Sequence, residues 1–318
     1  MRVATVTLNP ALDRQLIVSN FEVNQLHRLS GPESSIITPG GKGINVAMLL
    51  DVLEIPVVAM GILAGYTGRI LEEELRRLHP RITTNFVYTS GETRENITIV
   101  DPIKDTITEI NSSGPEVDEK TLGIFLKRYI MTLSRVNTVV ISGSVPPGVD
   151  SGYCLDLVSR AKHAGKTVVM EGIGRFFEET IRNVCPHVVR PDLRRTQTIF
   201  GRSLDTLDDY IKLARDFLDF GAEAVVISYH IVSDVVATKE GVWLFTSREK
   251  VEKSHLLGTG DAFVAGIVYG IDKGLNYFDA LRYGMAAAIA ETKHVEKSAL
   301  SISEIEKHLD AFEVEKKA

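Results

Sequence analysis

Two glycine-bearing segments of this chain carry residue types that suit chemistry on a negatively charged group. One is residues 39–47, Pro-Gly-Gly-Lys-Gly-Ile-Asn-Val-Ala, and the other is Gly258, Thr259, Gly260 and Asp261. The second precedes an apolar run that predicts a helix, and backbone N–H groups at a helix N-terminus bind anions. Because a carboxylate that accepts protons stands beside those groups, this segment is typical of phosphoryl transfer.

Hydrophobic periodicity predicts the elements that position these segments. Between residues 57 and 228, short β-branched runs alternate with helical stretches. This alternation indicates a mostly parallel sheet with helices on both faces and ligands at the carboxyl ends of the strands. From residue 259 onward the pattern is helical, and its last predicted helix spans 303–312. Residues 313–318 are expected to be a frayed, solvated end.

Two segments, at about 14–38 and 94–111, interrupt the alternation of strands and helices. Within the second, residues 95–100 and 106–110 have the period of a half-exposed antiparallel hairpin. We therefore predict one domain over residues 1–318, with a small, discontinuous β-sheet lid over the edge of the main sheet.

The composition is that of an ordinary soluble protein. Of the 318 residues, 44% are hydrophobic and 25% charged, and the net charge of -6 argues against a dedicated nucleic-acid binder. Cys154 and Cys185 have no metal or disulfide spacing, and the eight histidines show no metal-ligand spacing. With no leader and no apolar run long enough for a membrane, we expect a cytoplasmic protein without a metal site of its own.

Five motifs, in order, resemble the PfkB, or ribokinase-like, family of sugar kinases. They are residues 7–13, 40–47, 93–96, 141–148 and 258–261. The resemblance covers nearly the whole chain and is strongest to the phosphofructokinase and tagatose-6-phosphate kinase branch, whose acceptors are phosphorylated furanoses. It implies a three-layer α/β/α sandwich with a mostly parallel central sheet, and a carbohydrate kinase that transfers the terminal phosphoryl group of a nucleotide.

The resemblance assigns the catalytic step to the later segment. Asp261 is then the base that takes the proton of the acceptor hydroxyl as this hydroxyl attacks the donor's terminal phosphorus. The backbone amides of Gly258, Thr259 and Gly260 form the anion hole for the transferred group.

The same resemblance assigns the sugar to the earlier segment. Asp13, expected at the carboxyl end of the first strand, orients sugar hydroxyls. Gly40 and Gly41 let the backbone approach the sugar closely, and Asn45 offers both a hydrogen-bond donor and an acceptor to the hydroxyls.

A phosphorylated acceptor needs cations, and three are candidates. Arg94 comes first, because the phosphofructokinase branch has an arginine at this motif and a guanidinium suits bidentate phosphate binding. Lys42 comes second. Arg28 lies in a stretch longer than the usual pattern and is either a phosphate ligand or a solvated lid charge. Ser144, expected to close a strand, either contacts the acceptor or only belongs to the Pro-Pro-Gly loop.

The donor half departs from the family pattern in three places. Arg195 replaces the glutamate of an Asn-x-x-Glu motif, residues 228–233 lack both glycines of a Gly-x-x-Gly motif, and Glu171 replaces a common aspartate. These changes make a non-standard donor, ADP in particular, an alternative to ATP. The residues expected to contact the nucleotide are Arg190, Asp192, Arg195, Ser228 and His230. Mg²⁺ is expected only with the nucleotide.

The resemblance leaves the acceptor open. We favour ribose 1-phosphate, converted to ribose 1,5-bisphosphate, because archaeal relatives include ADP-dependent kinases and one similar branch acts on this sugar. Fructose 1-phosphate or fructose 6-phosphate, as in a phosphofructokinase, is the alternative, followed by a nucleoside or free sugar. A sugar-phosphate sensor is the non-enzymatic alternative, and pairing of two lids in a homodimer is a further expectation.

Overall fold

The central sheet carries the helices on two faces and a smaller sheet at one edge. The structure is a computed structural model that describes residues 2–193, 197–251, 256–294 and 300–318. The strands are β1 (Val3–Thr7), β2 (Ala11–Ile17), β3 (Ser35–Gly40), β4 (Val57–Ala64), β5 (Thr83–Thr89), β6 (Arg94–Asp101), β7 (Thr106–Asn111), β8 (Thr138–Ser142), β9 (Thr167–Gly172), β10 (Val188–Pro191), β11 (Thr198–Ile199), β12 (Arg202–Ser203), β13 (Ala224–His230), β14 (Ser233–Thr238), β15 (Gly241–Ser247) and β16 (Phe312–Lys316).

The helices include both that begin at the glycine-bearing segments. They are α1 (Lys42–Val52), α2 (Gly65–Leu78), α3 (Glu119–Leu133), α4 (Ser151–His163), α5 (Arg175–Val184), α6 (Leu207–Asp219), α7 (Thr259–Asp272), α8 (Tyr277–Glu291) and α9 (Ile302–Lys307). Within the described ranges, none of them has the length and apolar character that a bilayer crossing requires.

The central sheet runs in the order β16-β15-β14-β13-β10-β9-β8-β1-β4-β5. Its strands from β13 to β5 are parallel, and β14, β15 and β16 join antiparallel at the other edge. This confirms the predicted α/β fold with a mostly parallel sheet. The carboxyl ends of the central parallel strands meet at one edge, which is where such sheets bind ligands.

Alternating residues of the central strands pack into two separate cores. In β8 and β9, Val140 and Val169 belong to the core under α1, α7 and α8, whereas Val139 and Val168 belong to the core under α3, α4 and α6. All four side chains are fully buried. Strands that are covered on both faces must be apolar at successive positions, which is the continuous pattern of this sequence.

Close packing against α8 fixes the direction of α7. A Cβ atom at Gly266 would lie 2.4 Å from the Tyr283 carbonyl oxygen, and one at Gly284 would lie 2.4 Å from the Phe263 ring. The two helices therefore approach each other more closely than side chains there would allow. This contact holds the N-terminus of α7, and with it residues 258–261, over the sheet edge.

The second sheet, called here the small sheet, has the order β3-β2-β6-β7. Strand β2 pairs antiparallel with β3 and parallel with β6, and β6 pairs antiparallel with β7. The predicted hairpin of residues 95–100 and 106–110 is therefore present as β6 and β7. Asp13, however, is not at the carboxyl end of the first strand, because β1 ends at Thr7 and Asp13 lies within β2.

The C-terminus differs from the sequence prediction. The last helix ends at Lys307, and residues 312–316 form β16, which pairs with β15 at the edge of the central sheet. Phe312 is buried, with its ring centroid 5.2 Å from that of Phe245. Burial of this ring and the strand hydrogen bonds hold a segment whose own composition indicates a frayed end.

Candidate active site

Two adjacent cavities open at the carboxyl edge of the central sheet, beneath the small sheet. The first has a volume of about 320 Å³ and the second about 740 Å³, and Glu109 and Leu257 line both. The polar residues that line the first cavity are Asp13, Lys42, Asn45, Arg94, Asn96, Thr98, Glu109, Asn111, Ser144, Asp192 and Asp261. Those that line the second include Lys104, Arg190, Gln197, Ser228, His230 and Thr259.

Asp261 lies in the first turn of α7 and is buried at the junction of the cavities. Its Oδ2 accepts a hydrogen bond of 2.7 Å from the Nδ2 of Asn45, on α1. Gly258 is the N-cap of this helix, and its left-handed φ of 85° favours glycine. The first N–H groups of a helix have no preceding turn to accept them, and the residues that carry them in α7, Thr259 and Gly260, line the second cavity. The Thr259 N–H also reaches the Leu256 carbonyl oxygen, at 3.4 Å.

Asp13 also lines the first cavity and is held there by its neighbours in the small sheet. Its Oδ1 accepts a 2.8 Å hydrogen bond from Asn96 Nδ2 of the neighbouring strand β6. A Cβ atom at Gly40, on β3, would lie 2.3 Å from the Asp13 carboxyl carbon. Glycine at position 40 therefore leaves the space that this carboxylate occupies, and Gly41 follows with φ of 98° as the N-cap of α1.

Arg94 brings a guanidinium group to the same wall. Its Nε donates to the Asn9 carbonyl oxygen at 3.2 Å, and its Nη1 donates to Asn96 Oδ1 at 3.2 Å. Burial lowers the pKa of Arg94, and the Asp13 carboxylate partly offsets that effect. Arg94 and Ser144 both line the first cavity. Ser144 follows β8, which ends at Ser142, and accepts from Asn9 Nδ2 at 3.3 Å.

A buried network of ions connects the two cavities. Lys42 Nζ lies 3.0 Å from Glu171 Oε1 and 3.2 Å from Asp192 Oδ2. Arg190 Nη1 donates to the same Glu171 Oε1 at 2.5 Å, and Ser142 Oγ donates to Glu171 Oε2 at 2.9 Å. Burial alone would raise the pKa of Glu171, but the charges of Lys42 and Arg190 outweigh it and hold this pKa below its usual value.

The second cavity contains three of the residues predicted to contact a nucleotide. Arg190 Nη2 donates to Ser228 Oγ at 3.2 Å, and Ser228 Oγ donates to Asp234 Oδ1 at 2.8 Å. The His230 ring lies 3.8 Å from the Tyr229 ring, centroid to centroid, and both line the cavity. Residues 228–233, which lack both glycines of the family's Gly-x-x-Gly motif, thus place side chains on the wall of this cavity.

Two of the predicted site residues with described positions are not in the expected places. Asp192 lines the first cavity instead of the second, because its carboxylate pairs with Lys42. Arg28 is exposed in the loop before β3 and lines neither cavity, since the chain between β2 and β3 leaves it on the outer surface. Arg195 lies outside the described residues. The other predicted residues with described positions lie at or beside the two cavities.

The sequence assigned no role to Asn96 or Thr98, which line the first cavity together with Arg94. The three residues are spaced by two along β6, and alternate residues of a strand share one face. Once Arg94 was taken as a site residue, this spacing could have identified Asn96 and Thr98 as residues of the same cavity wall.

A dedicated magnesium site does not fit the described residues. In residues 2–193, 197–251, 256–294 and 300–318, no three acidic, histidine or cysteine side chains are grouped around a common point. Glu171, on β9, and Asp192, directly after β10, are both paired with cations.

The arrangement suits transfer of an anionic group between two bound molecules. A proton-accepting carboxylate and helix N–H groups lie where the cavities meet, and each cavity has a cation on its wall. A hydroxyl in the first cavity would face Asp261, and an anion in the second would face Arg190 and the start of α7.

This chain is similar to several proteins named as phosphofructokinases. A Thermotoga maritima crystal structure, described as a possible 1-phosphofructokinase, is 47% identical, with each chain covered over 100% and a TM-score of 0.96. The 1-phosphofructokinase of Bacillus subtilis is 29% identical over 286 residues, 90% of this chain and 91% of that protein. Escherichia coli phosphofructokinase-2 in complex with fructose-6-phosphate shares the fold, with 23% identity, coverage of 97% and 98%, and a TM-score of 0.83.

The family profile extends across both cavities. The pfkB family of carbohydrate kinases matches residues 19–302, which include Asn45, Arg94, Arg190 and Asp261. With a carboxylate at the start of α7, a cation on each cavity wall and this match over most of its length, the chain belongs to the pfkB family of carbohydrate kinases and is a phosphotransferase with an alcohol group as acceptor.

Proposed function

We propose that this protein is a sugar-phosphate kinase that phosphorylates the primary hydroxyl of a furanose phosphate, with fructose 1-phosphate as the first candidate acceptor. The observation that carries this proposal is the Arg94 guanidinium on the wall of the first cavity, beside Asp13. A guanidinium binds a phosphate through two parallel hydrogen bonds, and a carboxylate accepts from sugar hydroxyls. The names of the Thermotoga and Bacillus relatives support fructose 1-phosphate.

In the proposed reaction, Asp261 accepts the proton of the sugar's primary hydroxyl while that oxygen attacks the terminal phosphorus of the donor. The new O–P bond forms as the bond from phosphorus to the nucleotide's bridging oxygen breaks, and the nucleotide leaves with the electron pair. The N–H groups of residues 258–260 stabilise the charge on the transferred group. Asn45 holds the Asp261 carboxylate in place through its 2.7 Å hydrogen bond.

The second cavity is proposed to hold the nucleotide donor. Arg190 and His230 face this cavity, and its volume of about 740 Å³ falls within the usual range for small-ligand sites. Mg²⁺ would arrive on the donor's phosphates and neutralise part of their charge. ATP and ADP are both donors to test, because residues 228–233, which place His230 on the wall of this cavity, lack both glycines of the family pattern.

Ribose 1-phosphate is placed second among the acceptors. Like fructose 1-phosphate, it carries a phosphate on one side of a furanose and a primary hydroxyl on the other, but the relatives with the named activity are 1-phosphofructokinases. Fructose 6-phosphate comes third, since its phosphate stands on the carbon that fructose 1-phosphate offers for transfer.

A donor-by-acceptor matrix of initial rates tests the proposed function. Purified protein with Mg²⁺ is assayed with ATP or ADP against fructose 1-phosphate, fructose 6-phosphate, ribose 1-phosphate, fructose and a nucleoside. We expect the highest kcat/KM with fructose 1-phosphate. The highest kcat/KM with an unphosphorylated acceptor would contradict the proposal, and sugar-phosphate binding by calorimetry without turnover from any pair would favour a sensor instead.

We also propose that two copies of the chain pair through the small sheet. Large apolar side chains are exposed on this sheet and its loops, namely Val23 at 78%, Leu26 at 76%, Ile103 at 65% and Ile110 at 57%. Strand β7 is also an edge strand of the small sheet, with unpaired backbone groups on its outer side. An exposed apolar patch beside an open edge is typical of a protein interface.

Light scattering after size exclusion measures this pairing. We expect the wild-type protein to have the mass of a dimer at micromolar concentration, and Ile110→Lys to shift it to the monomer because a charge is then buried at the interface. The matched control is Ile124→Lys, on the exposed face of α3. A wild-type monomer, or a dimer that survives Ile110→Lys, would show that the small sheet is not the interface.

A further inference from the structure

Glu171 has an unusual position for a buried carboxylate, because it lies between the two cavities and lines neither. It is at the carboxyl end of β9, next to the ends of β8 and β10, and its side chain is fully inaccessible to solvent. Its backbone is held as well, since the Gly143 N–H donates to its carbonyl oxygen at 3.2 Å. A charge in such a place needs partners that remain charged themselves.

The partners of Glu171 are cations that belong to different cavities. Lys42, at the start of α1, lines the first cavity, and Arg190, on β10, lines the second. Both bind the same atom, Glu171 Oε1, at 3.0 and 2.5 Å. The two cationic nitrogens are therefore only a few ångströms apart and are held together by one shared oxygen.

Each cation also has a contact on the side of its own cavity. Lys42 pairs with Asp192 at 3.2 Å, whose carboxylate lines the first cavity. The Arg190 guanidinium lies beside the anion-binding end of α7, since a Cβ atom at Gly260 would be 2.9 Å from its Nη1. Arg190 thus stands next to the point at which a phosphoryl group would be transferred.

Sharing one oxygen limits how strongly either cation can be bound. While Arg190 donates to Oε1, it neutralises part of the negative charge of Glu171, so the attraction between Glu171 and Lys42 is weaker. The Lys42 ammonium group can then bind an anionic ligand in the first cavity more strongly. If Arg190 were absent, Lys42 would be the main cation on Glu171 and would be less available to the first cavity. In the same way, loss of Lys42 would leave Arg190 as the main cation on Glu171 and less available to a ligand in the second cavity.

We propose that Glu171 is a positioning residue that couples the two cavities, because the cation facing one cavity sets the availability of the cation facing the other. This inference rests on the proposed function, which assigns a sugar phosphate to the first cavity and a nucleotide to the second. It predicts that a change at Arg190 weakens acceptor binding although Arg190 does not line the acceptor cavity.

Calorimetry with fructose 1-phosphate and no nucleotide tests the coupling. We expect Arg190→Met to raise the Kd of the acceptor about 5-fold or more, which is the usual lower end of coupling between sites, and Arg190→Lys to restore most of the affinity. In a Glu171→Gln background, Arg190→Met should leave this Kd within about 2-fold. The reciprocal experiment measures the nucleotide Kd of Lys42→Met in both backgrounds.

The controls separate coupling from a loss of structure. Ser142→Ala removes the hydrogen bond to Glu171 Oε2 but neither cation, and should leave the Kd of the acceptor unchanged. Where Glu171→Gln fails to fold by circular dichroism, Glu171→Asp, which keeps the charge but is too short to reach both cations, replaces it. An unchanged acceptor Kd in Arg190→Met, or the same rise with and without Glu171, overturns the coupling.

The same experiment distinguishes the two proposals. If the wild-type protein turns over fructose 1-phosphate but Arg190→Met leaves the Kd of this acceptor unchanged, only the coupling is contradicted. If the wild-type protein binds neither fructose 1-phosphate nor a nucleotide, both the coupling and the proposed function are contradicted.

Discussion

Asp261→Asn is expected to lower kcat by about 10²- to 10⁴-fold, the usual contribution of a general base, with little change in the KM of either substrate. Asparagine has nearly the same shape, and its side-chain oxygen still accepts the 2.7 Å hydrogen bond from Asn45 Nδ2. It cannot take the proton of the attacking hydroxyl. The helix N–H groups at residues 258–260 remain, so the residual rate reports their contribution. Initial rates over a range of both substrates measure the effect.

The matched control for this variant is Asp310→Asn. The Asp310 side chain is 98% exposed, and its nearest described cation is Arg282 at 3.6 Å. The same loss of one charge should there leave kcat within experimental error. A kcat in Asp261→Asn within about 3-fold of the wild type would remove Asp261 from the role of base.

Arg94→Ala is expected to raise the KM of a phosphorylated acceptor about 10- to 100-fold, because hydrogen bonds to charged groups contribute about 1.5–3 kcal/mol. The KM of the nucleotide should not change, since Arg94 does not line the second cavity. Arg94→Lys keeps the charge but not the planar pair of donors, so its KM should lie between those of the wild type and Arg94→Ala. Steady-state kinetics with fructose 1-phosphate give these values.

Arg14→Ala is the matched control on the same sheet. Arg14 follows Asp13 on β2, lines neither cavity, and has a weak 3.9 Å contact with Glu95. Its loss should leave the acceptor KM unchanged. If Arg94→Ala also left that KM unchanged while fructose was phosphorylated as well as fructose 1-phosphate, the acceptor would be a free sugar and the phosphate-binding role of Arg94 would be wrong.

The sequence was sufficient for features that depend on local pattern. The apolar runs of β4, β8 and β13 and the helical period of α2, α3 and α6 predict the layered sheet, because each run reports its own burial. The place of Asp261 at the start of α7 was also predictable, since glycines and a carboxylate directly before an apolar run are local features of the sequence.

Features that depend on distant partners could not be predicted in the same way. Lys42 and Arg190 share one oxygen of Glu171, which joins residues from α1, β9 and β10. No spacing along the chain indicates this contact. Asp192 was assigned to the nucleotide for the same reason, because its pairing with Lys42 is visible only in three dimensions. Strand β16 was missed because its burial depends on β15 and on Phe245.

The small sheet combines a feature that local pattern predicts with one that depends on distant partners. The alternation in β6 and β7 predicted the hairpin, but β2 was not expected to begin at Ala11 and to pair in parallel with β6. This pairing moves Asp13 from the end of the main sheet to the wall of the small sheet. Its place in the first cavity therefore depends on a contact between segments more than 80 residues apart.

Phosphorus NMR of the reaction product tests the central claim most directly, namely that a sugar phosphate in the first cavity receives a phosphoryl group at its primary hydroxyl with Asp261 as the base. Wild-type protein is incubated with fructose 1-phosphate, Mg²⁺ and either ATP or ADP, beside Asp261→Asn under the same conditions. We predict a second phosphate ester on the primary carbon in the wild-type sample and almost none in the variant. An unchanged fructose 1-phosphate signal with the wild type, or equal product from both proteins, would contradict the account.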